Sequence, residues 1–256
     1  MPPRESVTYL GHATVRLDLA GARLLTDPVL RDRLGHLRRR SPSLAPEDYE
    51  RLDGVLVSHL HLDHLDMPSM RRLERTVPVV IPRGGGAILR KIGFKDVREV
   101  VAGDSVRIAG VEVLAVPAVH DPRRRPGGVE ADALGYVAAG AARVYFAGDT
   151  DLYDGMSELG ALDLALIPVW GWGPTLGAGH LDPESAARAL ALLQPREAVP
   201  IHWGTLFPIG LTSGDRLTAP PREFARHAAG LAPGVKVTIL EPGTSLEVEG
   251  LHRAQQ

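Results

Sequence analysis

Apolar and polar residues alternate through "SVTYLGHATVRLDLAGARLLTDP" around a glycine turn, so Val15, Leu17 and Leu19 share one face of a half-buried antiparallel hairpin. A stretch rich in Arg, Ser and Pro, "LRRRSPSLAPEDYE", reads as a loop, and the apolar run "DGVLVS" after it predicts a short interior strand. The pattern then predicts a helix over "DMPSMRRLERT", a strand at "PVVIP", a helix over "RGGGAILRKIGF" and a strand at "DVREV". "DSVRIAGVEVLAVPAVH" reads as a hairpin turning at Ala109-Gly110 and ending at His120, and "ALGYVAAGAARVYFAGDT" as a second one ending at Asp149. Downstream lie a buried strand, "LDLALIPV", and a helix, "LDPESAARALALL", capped by Asp182 with Pro183 in its first position. A strand follows at "EAVPIHWGT", ending in His202, then a helix around "PREFARHAA" and strands at "VKVTIL" and "SLEVEG". Meanders separated by helices predict two sheets with helices on their outer faces, an α/β four-layer αββα sandwich rather than a doubly wound parallel sheet.

Composition narrows the possible functions. The chain has 256 residues, 44% hydrophobic and 23% charged, which is ordinary for a folded globular protein. A formal net charge of -2 is no footprint for general nucleic-acid or anionic-membrane binding, so no nucleic-acid partner is expected. The first residues lack a basic stretch followed by an apolar core, and no apolar run approaches the ~20 residues of a membrane span. The expectation is a cytoplasmic protein with no membrane anchor. There is no cysteine, which removes disulfides, thiolate catalysis and Cys-containing zinc sites, while ten histidines are present. Any bound metal is therefore held by imidazole and carboxylate.

The candidate chemistry is concentrated in "VSHLHLDHLDM", Val57 to Met67, directly after the predicted strand "GVLV". Residues two apart on an extended segment point the same way, so His59 and His61 reach one point, while Asp63 and His64 lie where the loop turns toward a helix. An exposed, His-rich capping loop is the plain alternative. A dense cluster of ionisable groups at the end of a buried strand favours metal binding, because burying such groups without partners costs several kcal/mol.

These residues form the pattern H-x-H-x-D-H as His59-Leu60-His61-Leu62-Asp63-His64. With "YLGHATV", "SHLHLDHLD", "FAGDT", "DLALIP", "GHLDPESAARA" and "PIHWGT" in order, the chain resembles the metallo-β-lactamase superfamily over nearly its whole length. Within that superfamily it is most similar to the branch of N-acylphosphatidylethanolamine-hydrolysing phospholipase D and L-ascorbate-6-phosphate lactonase. The resemblance implies the αββα fold, a single hydrolase domain over residues 1–256, and His120, Asp149 and His202 as the remaining metal ligands. On that ligand set, His59, His61 and His120 hold one divalent ion, Asp63, His64 and His202 hold another, and Asp149 bridges them at a separation of ~4 Å. Zinc suits such donors best, though manganese and iron take the same ligands. The pair lowers the pKa of bound water from ~15.7 to near 7 and polarises the attacked ester, so hydroxide attack needs no protein nucleophile.

Two residues are expected to act on the reaction itself. Asp63 holds the second metal and orients the attacking hydroxide. His180 of "GAGHLDPES" matches a histidine that lies beside substrate in the phospholipase-like branch, and donates to the oxyanion or the leaving group. His12 of "LGHATV" is read as a structural, hydrogen-bonding residue and not as a ligand.

Other motifs bear on the substrate. Arg123, Arg124 and Arg125 follow His120, so they either attract an anion or form a solvated loop; Arg38, Arg39 and Arg40 are a weaker version of the same choice. "RGGGA", Arg83 to Ala87, lacks the companions of a P-loop or dinucleotide fingerprint and reads as a helix-entry turn. Trp170 and Trp172 either wall a pocket or pack in the core. The expected function is hydrolysis of a phosphodiester or related small or medium anionic ester, with a metal-bound hydroxide. The alternatives are a lactone or carboxylic-ester hydrolase and a noncatalytic metal-binding module. The chain starts almost at its first predicted strand, and the segment after His120 lacks an aromatic residue, so an intact phospholipid is not the expected substrate. The sequence leaves oligomeric state open, a homodimer being the commonest arrangement.

Overall fold

The computed structural model describes residues 4–123, 128–171 and 176–250. Two seven-stranded sheets carry the fold. The first runs, in spatial order, Thr244–Val248, Glu5–Gly11, Thr14–Leu19, Ala22–Thr26, Gly54–Leu56, Val79–Pro82 and Val97–Val100. The second runs Ser105–Ile108, Val111–Pro117, Leu134–Ala139, Arg143–Phe146, Leu164–Pro168, Glu197–Ile201 and Lys236–Val237. Each begins as an antiparallel meander and continues as parallel strands. The chain thus builds one sheet, then the other, and returns its last strand beside its first.

Side-chain alternation explains the layering. Leu24, Leu56 and Val80 enter one core with Val113, Ala138 and Val144, which share a face of the second sheet, while their neighbours Leu25, Val55, Val79 and Ile81 face a second cluster with Leu65, Met70, Leu89 and Phe94. The outer face of the second sheet is covered by helices Pro183–Leu193 and Ala219–Leu231, through Ala186, Leu190, Phe224 and Ala228. This is the αββα sandwich. The helix Pro183–Leu193 starts where its Asp182-Pro183 signal places it: Asp182 accepts from Ser185 N at 2.8 Å. Among the described residues, no helix is long and apolar enough to cross a membrane.

Strand direction decides where loops go. Antiparallel pairing twice over makes Glu5–Gly11 run with Ala22–Thr26, and parallel pairing adds Gly54–Leu56. By the same count, Val111–Pro117 runs with Arg143–Phe146, Leu164–Pro168 and Glu197–Ile201. The segments leaving these strands therefore emerge together at one edge of each sheet. Hydrogen bonds join the two edges, among them Tyr136 Oη donating to Val57 O at 2.8 Å, Leu134 N to Ser58 O at 2.9 Å, and His202 N to His12 O at 2.8 Å.

The structure departs from the sequence pattern in three places. The helices expected over "DMPSMRRLERT" and "RGGGAILRKIGF" shrink to Met67–Met70 and Gly86–Arg90: the Arg75 guanidinium takes the carbonyls of Met70, Arg71 and Leu73 after the first, and Gly93 turns the chain at φ 97° after the second. His120 and Asp149 lie three residues beyond their strands, which end at Pro117 and Phe146. Leu37–Arg39, expected as loop, is a strand paired with Arg33–Leu34 and Leu206–Pro208 in a small third sheet. Arg39 is accordingly buried, and its guanidinium donates to Leu10 O at 3.1 Å and Val29 O at 2.7 Å. It holds the first sheet's edge and is not available to an anion; Arg38 and Arg40 are exposed.

We expect Arg39→Met to destabilise the protein by about 2–4 kcal/mol, since it leaves two carbonyls without donors, whereas Arg38→Met changes stability by less than ~0.5 kcal/mol. Urea unfolding of the two variants measures the difference; equal midpoints would remove Arg39 from this role.

Candidate metal centre

Seven side chains singled out by sequence converge at the shared edge. His59, His61 and His120 present ligand atoms within 4.8 Å of one another, as do His12, Asp63, His64 and His202. His61 Nδ1 and His120 Nε2 are 2.9 Å apart, and His64 Nε2 and His202 Nε2 are 3.1 Å apart. Asp149 lies between the groups. One oxygen is 3.1 Å from His64 Nε2, the other is 3.2 Å from His202 Nε2, and its carboxylate also clusters with His120.

The outward nitrogens define which atoms face inward. His59 Nδ1 pairs with Ser58 Oγ at 2.9 Å, His64 Nδ1 with Asp27 Oδ2 at 2.7 Å, His120 Nδ1 with Gly179 O at 2.7 Å, and His202 Nδ1 with Trp170 O. Because Ser58 Oγ donates to Asp27 Oδ2 at 2.5 Å, it is left to accept from His59. His59, His120 and His202 then carry their proton on Nδ1 and direct a bare Nε2 into the centre, and His64 directs its Nε2 to the same place, the arrangement in which outer partners orient metal-binding imidazoles. His59 Nε2 is buried and has no hydrogen-bond partner. An inward lone pair of this kind fits a cation.

The charges agree. Burial drives His59 well below its ordinary pKa and His202 down to about 3, so both are neutral donors. Burial opposes ionisation of Asp149, but His202 and His64 outweigh it and hold the carboxyl well below the usual range. Against burial, Asp149 and Asp27 raise His64 well above its ordinary value, which reflects negative charge gathered around one imidazole. Neutral imidazoles and ionised carboxylates are the forms that bind metal.

Asp27 was not singled out by the sequence. It is fully buried, has φ 33°, and accepts from Ser58 N at 2.7 Å as well as from Ser58 Oγ and His64. The available signal was "TDP", an acid and a proline directly after a buried strand. Gly148 is a related omission: its φ is 62° and a Cβ there would lie 2.6 Å from Ser58 Cβ, so only glycine lets Asp149 approach.

His180 reaches the same place, with Nε2 3.5 Å from Asp149 Oδ2 and Nδ1 3.1 Å from Gly177 O. The structure places the motifs that the sequence left open, and "RGGGA" is the helix-entry turn expected of it. Arg123 is exposed but paired through two nitrogens with Asp121, at 2.9 and 2.7 Å, so little of its charge is left for an anion. Arg124, Arg125 and Trp172 lie outside the described residues. In "RGGGA" the Glu99 carboxylate accepts from Gly84 N at 2.9 Å and Gly86 N at 3.2 Å, filling the position a phosphate would take. Trp170 stacks on Phe207 with ring centroids 6.5 Å apart and reaches the site through its carbonyl.

A two-sheet sandwich with His and Asp side chains gathered at one edge defines the metallo-β-lactamase fold. The chain belongs to the beta-lactamase superfamily domain family, whose model matches residues 22–203. It is 33% identical to a UPF0173 metal-dependent hydrolase of Methanopyrus kandleri, over 94% of this chain and 99% of that protein. It is 32% identical to N-acyl-phosphatidylethanolamine-hydrolyzing phospholipase D 1 of Caenorhabditis elegans, over 80% of this chain and 65% of that protein. Among solved structures it is similar to Igni18, a metallo hydrolase from Ignicoccus hospitalis, with TM-score 0.71 and 25% identity over 95% of this chain and 98% of that one.

Asp27→Asn keeps a residue type that tolerates positive φ while removing the charge behind His59 and His64. We expect it to fold and to bind Zn2+ roughly 10–100-fold more weakly, read by competition with a chromophoric chelator. Unchanged affinity would mean that Asp27 only shapes the loop.

Proposed function

We propose that the chain is a metal-dependent hydrolase with a binuclear centre. His59, His61 and His120 hold one ion, Asp63, His64 and His202 the other, and Asp149 bridges them. The observation that carries this reading is the position of Asp149, whose carboxylate touches the second set and clusters with His120 of the first. A noncatalytic binding module has no need of a carboxylate shared between two ligand sets. When bound, the ions supply Lewis acidity and a water of lowered pKa.

The chain's own residues do the rest. Asp63 accepts from His12 Nε2 at 3.2 Å, which aims its carboxylate into the second set. His180 is a quarter exposed at the mouth; burial opposes its charged form, but Asp149 raises its pKa above the ordinary value. It thus holds a proton on Nε2 that can pass to a leaving group.

The preferred substrate is a small or medium phosphodiester or related anionic ester, a reading supported by the likeness to the nematode phospholipase D. The pairing of Arg123 with Asp121 favours a second reading, hydrolysis of a lactone or carboxylic ester, since it removes charge that would select an anion. Zinc is the preferred metal, and the chain acts without a nucleic-acid partner.

Metal analysis should give about two equivalents per chain, and His59→Ala and Asp149→Ala should each lower that content together with activity. A full complement in a His59→Ala, His202→Ala double variant would end the assignment.

A panel of phosphodiesters, aryl esters and neutral lactones decides the substrate. With a phosphodiester preferred, His180→Ala should lower kcat by about 10²–10⁴-fold for poor leaving groups while metal content is kept. Neutral lactones cleaved far faster than any phosphodiester would shift the reading to lactonase.

A further inference from the structure

His12 stands apart from the other imidazoles of the centre. Its Nε2 lies 3.2 Å from Asp63 Oδ2 and within 4.8 Å of the ligand atoms of His64 and His202, so by distance alone it qualifies as a ligand. Its Nδ1 is buried and has no hydrogen-bond partner, in contrast to His59, His64, His120 and His202. To bind a metal through Nε2, a neutral His12 would carry its proton on Nδ1, stranding a buried N–H at a cost of ~1–3 kcal/mol. With the proton on Nε2, the same ring donates to Asp63 and strands nothing but a lone pair.

The backbone holds the ring in this pose. His12 has φ 57°, its N–H donates to Thr205 Oγ1 at 2.8 Å, its carbonyl accepts from His202 N at 2.8 Å, and its ring packs on that of His202 with centroids 3.9 Å apart. It therefore touches Asp63 and His202, two members of one ligand set. We propose that His12 is a positioning residue for the second metal, an Nε2–H donor that fixes the Asp63 carboxylate and backs the His202 ring without binding the ion. This rests on the binuclear reading above and assigns within it a residue outside the seven ligands.

Two measurements on the full chain test it. In Zn2+-loaded, ¹⁵N-labelled protein, long-range ¹⁵N–¹H spectra should show His12 with a protonated Nε2 and an unmetallated Nδ1. A proton on Nδ1 with a metal-shifted Nε2 would make His12 a ligand and overturn the proposal. In Co2+ titrations against a chromophoric chelator, His12→Ala should weaken one of two sites by roughly 10–100-fold and leave the other unchanged. His12→Gln, which keeps an N–H donor of similar reach, should recover part of that loss. Equal weakening of both sites in both variants would make His12 a packing residue, and unchanged affinities would deny it any part; either result overturns the proposal. If His12→Ala does not fold, the spectra and the Gln variant still decide. A wild-type chain that binds fewer than two ions would instead bring down the binuclear reading, and this inference with it.

Discussion

A carboxylate shut off from water, Asp27, is the contact on which the geometry of the centre depends. Burying such a charge costs several kcal/mol unless it is fully hydrogen-bonded. Asp27 meets that demand by accepting from Ser58 N, Ser58 Oγ and His64 Nδ1. Those three bonds tie the end of Ala22–Thr26 to the loop after Gly54–Leu56. They also set the protons of His64 directly and of His59 through Ser58. The orientations of two imidazoles in different parts of the cluster thus have one source. The left-handed backbone of Asp27 is the local strain accepted for this arrangement.

The edge position of the centre follows from strand direction. Regular strands satisfy their backbone groups within the sheet, so residues just past their ends are free to turn side chains inward, as in other sheets that bind ligands at the carboxyl ends of their strands. Here His12, Asp27 and the His59 to His64 loop leave one sheet, and His120, Asp149, His180 and His202 leave the other. Each sheet supplies an incomplete set. The bonds from Tyr136, Leu134 and His202 hold the edges in register, and because they lie directly behind His59 and His202, packing between the sheets also positions these two imidazoles.

The fold and most of the centre were legible in the sequence because period-two alternation and strand-end polar residues are local signals. The Ala109-Gly110 turn, the Asp182-Pro183 cap and the His59 to His64 cluster all declare themselves within a few residues. What escaped is set by distant partners. Arg39 looks like its solvated neighbours until Leu206–Pro208 pairs with its strand and buries it. Asp27 is an ordinary loop acid until Ser58 and His64 are placed against it. The choice left open at Arg123 is settled by a near neighbour instead, Asp121, which pairs with its guanidinium. Periodicity also overstated the crossover helices, where side-chain bonds such as those from Arg75 to the carbonyls of Met70, Arg71 and Leu73 end the helix early.

Charge makes the final connection between fold and chemistry. Asp27, Asp63 and Asp149 bring three carboxylates to an edge where Arg39 is committed to the carbonyls of Leu10 and Val29, and Arg123 is committed to Asp121. Arg39 and Arg123 thus leave the negative charge of the centre to other groups. Imidazoles can offset it only by protonation, which burial opposes at His59 and His202. A buried edge with three carboxylates and the neutral nitrogen donors of His59 and His202 is complementary to divalent metal ions, which would take over the charge that Asp149 and Asp27 otherwise draw onto His64. The same sequestration of arginine leaves recognition of a substrate's own charge to whatever is bound at the centre, so the two candidate substrate classes differ in how much charge the centre itself has left to attract them.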